Sequence, residues 1–319
     1  MKRFKNILYV DDPVIEQGEV FDRAVALSEN TGARLTIVEV SEPIPSFVTR
    51  QTPHKLRELV TEHRKSDLEK ICQSVGGRIK IEAKILEGKF FLEIIQEVLR
   101  NKRDLVIKPA EGSGVIGRLF SSNDMHLLRK CPCPVWLIKV SKDLTGSNIL
   151  AAVDLDEDES EEVEALNRQI LELATSLACS EGSKLHVCHA WNPPYEDMMK
   201  NKAGMNEEEV ATYVEEVRAH HRRWFDRLMV QTKKWVGREI YESANPVTHL
   251  SKGDARDIIP KLADELRANL VVMGTVARTG ITGLLIGNTA ESILDQLDCS
   301  VLAVKPPGFI SPVALERVS

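Results

Sequence analysis

Apolar residues fall along this chain in two kinds of run. Short stretches are apolar and β-branched at every position or every second one, and read as strands; longer stretches of helical period lie between them. In the first half the strands expected are Asn6–Asp12, Ala33–Val40, Arg78–Ile85, Asp104–Lys108 and Cys133–Lys139. In the second half they are Asn148–Asp154, Ser183–Ala190, Pro246–Leu250, Asn269–Met273 and Cys299–Lys305. Long polar helices are expected over 51–75 and 196–235, and shorter ones over Phe91–Leu99 and Ile258–Leu266. Gly32 and Gly182 each close a helical stretch just before the second strand, where a residue able to take φ > 0 is wanted. The distance from Gly88 to Asp104 is 16 residues, and so is that from Gly253 to Asn269. The chain therefore carries one internal repeat.

Strand–helix alternation of this kind implies an α/β fold, with parallel strands, helices on both faces and right-handed crossovers. The expected domains are 1–141 and 147–307, joined by a short turn-rich linker, with a tail over 308–319. The 319 residues suffice for two cores of ordinary size. A net charge of −6 argues against nonspecific nucleic-acid binding, which needs cationic surface. The N-terminal run Ile7–Val10 stops at Asp11 and Asp12, too short for a signal or a membrane span. No stretch of about 18 apolar residues offers a membrane span elsewhere, and the six cysteines are sparse and lie mostly in apolar contexts, which points to a reducing cytoplasm.

In parallel α/β sheets, ligands bind beyond the carboxyl ends of the strands. Asp12, Asp154 and the segments after Lys108 and Met273 therefore matter most. The segment Gly274–Glu291 holds four glycines within 14 residues, with hydroxyls at Thr275, Thr279, Thr282 and Thr289. Asn288 is expected to cap the last helix with Glu291 at its third position, leaving backbone N–H groups for a phosphate. Arg278 could add charge-assisted hydrogen bonds. The other reading is that these glycines only let the loop turn tightly beside the sheet.

The order Leu270-Val-Val-Met-Gly-Thr, then Gly287-Asn-Thr-Ala-Glu-Ser-Ile-Leu, then Cys299-Ser-Val-Leu-Ala-Val-Lys305 resembles the C-terminal signature of universal stress proteins. The pieces His126–Trp136 and Gly274–Ile281 resemble the tandem E group of that family. The resemblance implies two tandem domains, each a five-stranded parallel sheet, paired by pseudo-two-fold symmetry through antiparallel contact of Val135–Lys139 with Val301–Lys305. It implies a stress-response binding protein and a nucleotide motif Gly-x2-Gly-x9-Gly-Ser/Thr. In the second half that motif falls on Gly274, Ala277, Gly287 and Asn288, so an alanine and an asparagine replace a glycine and a hydroxyl residue, and Thr289 comes one position late. Asp154 is implied to face a ribose and Met273 to line a base pocket. The ligand implied is ATP or AMP, with Mg2+ as a companion of the phosphates and no cofactor required. In the first half the same frame gives Pro109, Gly112, Ser122 and Asn123, a degenerate motif, and Pro109 also lacks an N–H donor.

Two alternatives stand beside that reading: a scaffold acting through protein contacts, and a slow ATPase, for which no water-positioning group is identified. Homo-oligomers are compatible with either. Gly112-Ser-Gly114-Val-Ile-Gly117 spells a dinucleotide fingerprint, but it follows the fourth strand rather than the first. On a strand, His186 and Cys188 share a face and His189 takes the other, so three converging metal ligands are not expected. His220 and His221 read as part of a solvated helix face, and Cys131-Pro-Cys133 is not expected to close a disulfide on itself and lacks the spacing of a redox or zinc motif. Trp191, Tyr195, Tyr213, Trp224 and Trp235 give the second half's long helical insertion apolar weight, through packing or through a hydrophobic ligand beneath it.

Overall fold

The apolar runs become strands close to where their pattern puts them. The computed structural model describes residues 4–12, 18–41, 54–110, 120–139, 147–155, 160–201, 205–275 and 287–315. The described residues fall into two compact units, one holding those up to 139 together with 300–315, the other those of 147–275 together with 287–299.

The first unit contains β1 (Asn6–Asp11), α1 (Gly18–Thr31), β2 (Arg34–Ser41), α2 (His54–Ser74), β3 (Ile81–Glu87), α3 (Phe90–Asn101), β4 (Leu105–Pro109), α4 (Ser122–Lys130) and β5 (Val135–Ile138). Its strands run parallel in the order β3-β2-β1-β4-β5. The middle strands are buried on both faces: Ile7, Leu8, Tyr9 and Val10 are fully buried, as are Leu105, Val106 and Ile107. Unbroken apolar runs are what a parallel sheet covered on both sides demands.

The second unit contains β6 (Asn148–Ala152), α5 (Glu161–Glu181), β7 (Lys184–Trp191), α6 (Glu196–Asn201), α7 (Glu207–Val236), α8 (Arg238–Ala244), β8 (Val247–Lys252), α9 (Ala255–Glu265), β9 (Leu270–Gly274) and α10 (Asn288–Leu294). Its strands are parallel in the order β9-β6-β7-β8. The last strand of the second repeat, β10 (Ser300–Val304), clusters with the first unit. There it pairs antiparallel with β5, Val301 opposite Leu137 and Ala303 opposite Val135, which is the pairing the resemblance implied.

Gly32 and Gly182 take φ of 69° and 64°, as their place after α1 and α5 requires. The single long helix expected over 196–235 is instead two. Asn206 accepts from the Glu209 N–H, and the Glu209 carboxylate accepts from the Asn206 N–H, so a capping box starts α7 afresh. Pro260 sits inside α9 and cannot bond the Arg256 carbonyl one turn back. The Gln296 amide, just past α10, donates to that carbonyl instead, at 3.1 Å.

Candidate functional site

Pairing of β6 with β9 sets Ala152 opposite Met273. By continuation, Val153 and Asp154 leave the sheet beside Gly274 and Thr275. Two hydrogen bonds from one side chain hold that exit: Asn167 of α5 accepts from the Asp154 N–H at 3.2 Å and donates to the Asp154 carbonyl at 2.5 Å. Asn167 is itself buried, whereas Asp154 is exposed. Pinning the backbone this way turns the Asp154 side chain toward solvent at the carboxyl end of the sheet.

Gly274 has a packing role of its own. A Cβ there would come within 2.8 Å of Leu166 Cδ2 on α5, so a larger residue would require the tip of the Leu166 side chain to move aside. The Gly287 N–H donates to the Thr275 carbonyl at 3.2 Å, which brings the start of α10 back to the end of β9. Met273 and Thr275 are buried, while Asn288 and Thr289 are exposed on the first turn of α10. Asp154, Met273, Gly274 and Gly287 are thus gathered at one end of the sheet. Ala277 and Arg278 lie outside the described residues.

The cap on α10 differs from expectation. Glu291 N–H bonds the Gly287 carbonyl, so the helix begins one residue earlier than Asn288 capping would allow. Gly287 is the N-cap and makes no side-chain bond there, and Asn288 is the first helical residue. Glu291 then falls one position beyond the reach of a capping box.

Helix α7 reaches over the end of β7. His221 is not on a solvated face: its Nδ1 lies 2.9 Å from His189 Nε2, and its ring meets Trp191 at 5.5 Å and Trp224 at 5.0 Å. On the other face of β7, His186 Nδ1 lies 2.9 Å from His249 Nε2. Among the described residues no three potential ligands converge on a metal position. Burial holds the His221 pKa below its ordinary value; the nearby His220 acts in the same direction and Asp154 opposes it. A cleft of about 230 Å³ opens between α5 and α7, with Leu155, Ser160, Asn167, Trp224, Arg227 and Trp235 in its walls. Glu164 and Gln231 also line it, so it is amphipathic rather than the apolar chamber a hydrocarbon chain would need.

The corresponding end of the first unit is built differently. Lys108 stands on β4 where Met273 stands on β9, and Asp124 stands on α4 where Ala290 stands on α10. Both side chains are fully buried, and Lys108 Nζ lies 3.1 Å from Asp124 Oδ1. Lys108 also donates to the Pro109 carbonyl at 3.0 Å and sits 5.5 Å from the Phe90 ring centre. Ser121 caps α4, and Asp124 returns the bond to the Ser121 N–H at 3.0 Å. By helix start it is Ser121, not the Ser122 of the sequence frame, that occupies the place of Gly287. Ser122 and Asn123 are the first two residues of α4, and Gly112 lies outside the described residues. Nothing in the sequence pattern singled out Lys108 and Asp124; a lysine inside an otherwise apolar strand was the signal available.

Among the described residues no helix is long and apolar enough to cross a membrane. The model of the "Universal stress protein family" matches residues 3–139 and again 147–305. Universal stress protein E of Escherichia coli (strain K12) is 30% identical over 325 aligned positions, covering 99% of this chain and 98% of that one. Universal stress protein E of Photorhabdus laumondii is 28% identical over 98% of each. Among solved structures, a functionally unknown protein from Pseudomonas aeruginosa PAO1 aligns with a TM-score of 0.69 at 27% identity, covering 96% of this chain and 94% of that one. A putative universal stress protein from Pseudomonas aeruginosa UCBPP-PA14 aligns at 0.65, also at 27% identity. With two tandem matches to the family model and full-length relatives at this level, the chain belongs to the universal stress protein family.

Proposed function

We propose that this stress-response protein binds a nucleotide, ATP or AMP, in its second repeat, at the carboxyl ends of β6 and β9. The observation that carries the reading is the β6–β9 register, which sets Asp154 beside Gly274, with Gly287 returning to Thr275. Ligands of parallel α/β sheets bind at such an end. In this reading the exposed Asp154 carboxylate meets a ribose hydroxyl, Met273 borders the base, and the backbone of Gly274, Ala277 and Gly287 meets the phosphates. Asn288 and Thr289 offer an amide and a hydroxyl to the same phosphates, Arg278 neutralises charge, and Mg2+ accompanies a triphosphate. The first repeat does not bind nucleotide, because the Lys108–Asp124 pair and the Ser121 cap fill the equivalent place. The six free cysteines fit a reducing, cytoplasmic setting.

Calorimetry with ATP and AMP on the wild type and on Gly287→Asp tests this. Gly287 has φ of −59°, ψ of 138° and serves as an N-cap, a position aspartate favours, so the variant keeps its helix while placing a carboxylate against the phosphates. Binding by the wild type and its loss in the variant, with unchanged circular dichroism, is expected. No wild-type binding up to millimolar nucleotide would sink the proposal and leave protein contact as the function. Binding undiminished in the variant would put the nucleotide elsewhere.

A further inference from the structure

Cys131 closes α4 as its C-cap, its N–H bonded to the Leu127 carbonyl, and Cys133 lies two residues on, just before β5. One proline separates them, a spacing that by itself marks no redox motif, but the bend after α4 brings the two sulfurs together. Their Sγ atoms are 3.6 Å apart, in hydrogen-bond contact. Cys131 is fully buried and Cys133 is 8% exposed. Beside them lies a third unusual group: Lys305, immediately after β10, is 3% exposed, and its ammonium donates to the Leu128 carbonyl at the end of the same helix. The Phe309 ring covers it from 5.2 Å. A buried lysine at a helix C-terminus meets the negative end of the helix dipole and can hold a second negative charge.

We propose that Cys131 and Cys133 are a redox-active dithiol that closes to an intramolecular disulfide on reaction with a hydroperoxide, with Lys305 taking the proton from Cys131.

Three facts meet in that assignment. The two sulfurs need to close by about 1.5 Å to reach bonding distance. The electrostatics divide the two thiols into unlike roles. Burial alone would raise the Cys131 pKa, but hydrogen bonds from the Cys133 thiol and backbone, with the Lys305 charge, hold it below the ordinary thiol value. Cys133 is pushed well above that value by giving its hydrogen to Cys131, by burial, and by the negative charges of Cys131 and Asp104. Burial meanwhile lowers Lys305 to about 7, partly offset by Cys131, which makes it a base near neutrality. Cys131 is then the attacking thiolate and Cys133 the resolving thiol, a division of labour on which thiol–disulfide chemistry depends.

The step balances. The Cys131 thiolate attacks one peroxide oxygen, an S–O bond forms as O–O breaks, and the departing hydroxide takes a proton from the Lys305 ammonium to leave as water. Cys133 sulfur then attacks the sulfenic sulfur; S–S forms, S–O breaks, and the hydroxyl leaves with the Cys133 proton as a second water. Two thiols and one hydrogen peroxide give one disulfide and two waters. Because both cysteines are buried, the reaction requires peroxide to reach them by local opening of the non-helical Cys131–Pro134 segment.

Trypsin releases both cysteines in one peptide, Cys131–Lys139, which makes the test direct. The full chain is treated with hydrogen peroxide, quenched, denatured, alkylated and digested. The expected result is a Cys131–Lys139 peptide lighter by two hydrogens and carrying no alkyl group, restored to two alkyl groups by dithiothreitol. In Cys133→Ser the sulfenic acid on Cys131 persists and is trapped by a cyclic 1,3-diketone. In Lys305→Met the rate at neutral pH falls roughly tenfold, as for a thiolate pKa raised by one unit, and recovers as pH approaches 9. Loss of a buried ammonium does not endanger the fold, and an unchanged urea midpoint or a higher one confirms that. The exposed Cys179 reports whether oxidant was sufficient. Oxidation of Cys179 with both alkyl groups still on the Cys131–Lys139 peptide overturns the proposal, and so does a disulfide from either cysteine to another part of the chain. An undiminished rate in Lys305→Met at neutral pH overturns the part given to Lys305.

Discussion

Lys108 and Asp124 form a buried ion pair at the carboxyl end of the first unit's sheet. Each is fully buried, and they lie 3.1 Å apart. Two charges taken out of water are tolerable only together, since either alone keeps its desolvation cost without its partner's field. Asp124→Ala is expected to cost about 3–5 kcal/mol from the stranded lysine, and about 1 kcal/mol more from the lost Ser121 cap. The double variant Lys108→Met with Asp124→Ala installs the second repeat's own residues, Met273 and Ala290, and is expected to recover most of that loss. Urea denaturation of the single and double variants checks it; a double variant as unstable as the single one would show that the pair is not what Asp124 contributes. Across the repeat, Pro109 replaces Gly274. That change was legible in the sequence, because proline lacks an N–H. The ion pair was not, because burial and distance are set by how α4 meets β4 and not by spacing along the chain.

Among the elements, α7 has the most at stake. Phe225, Leu228, Met229, Thr232 and Val236 form its buried stripe at helical spacing, and Phe225 is wholly enclosed. Phe225→Ala should cost about 3–5 kcal/mol through lost burial and a residual cavity, read as a lower urea midpoint. Histidines on this helix and on both faces of β7 link the unit's stability to pH. Burial is the first cause of the lowered pKa of His186, His221 and His249. Folded values below 6.5 mean that the unfolded chain binds protons more readily. The stability from keeping these rings neutral is therefore present above about pH 6.5 and is lost as pH falls through the lower folded values. The His189–His221 bond sharpens this, since two protonated rings would oppose N–H to N–H. The urea midpoint should fall between about pH 7.5 and pH 5.5, with a shallower slope in His221→Phe, which keeps the ring packing and removes the proton. A flat profile in the wild type would contradict it. Strand and helix positions were legible because a parallel strand must be apolar throughout and a helix must show its period. The break at Asn206 was missed, since a polar stretch of helical composition does not reveal where one helix stops. The inward turn of His221 was missed because the residue lies within a charged run whose buried stripe emerges only on docking.

For the whole molecule, the consequential feature is where β10 goes. Translated as the end of the second repeat, it pairs with β5 of the first, antiparallel, from Val301 opposite Leu137 to Ala303 opposite Val135. A chain ending at Cys299 would leave β5, the fully buried strand Val-Trp-Leu-Ile, as an open edge. Such edges recruit other strands. The truncated chain is expected to self-associate, seen as a concentration-dependent rise in light scattering; a monodisperse truncated chain would show that β10 is dispensable. The repeated pattern of apolar runs and glycines, read by itself, determined the α/β class, the tandem organisation and the candidate loop after β9, because strand burial, helical period and left-handed turns are local demands written into consecutive residues. Tertiary structure alone decided that Asn167 clamps Asp154, that Leu166 of α5 packs over Gly274, that Lys108 meets Asp124, and that Lys305 reaches the Leu128 carbonyl at the end of α4. Each of these joins residues distant in sequence, and such contacts are set by packing between elements, which no single element's pattern encodes.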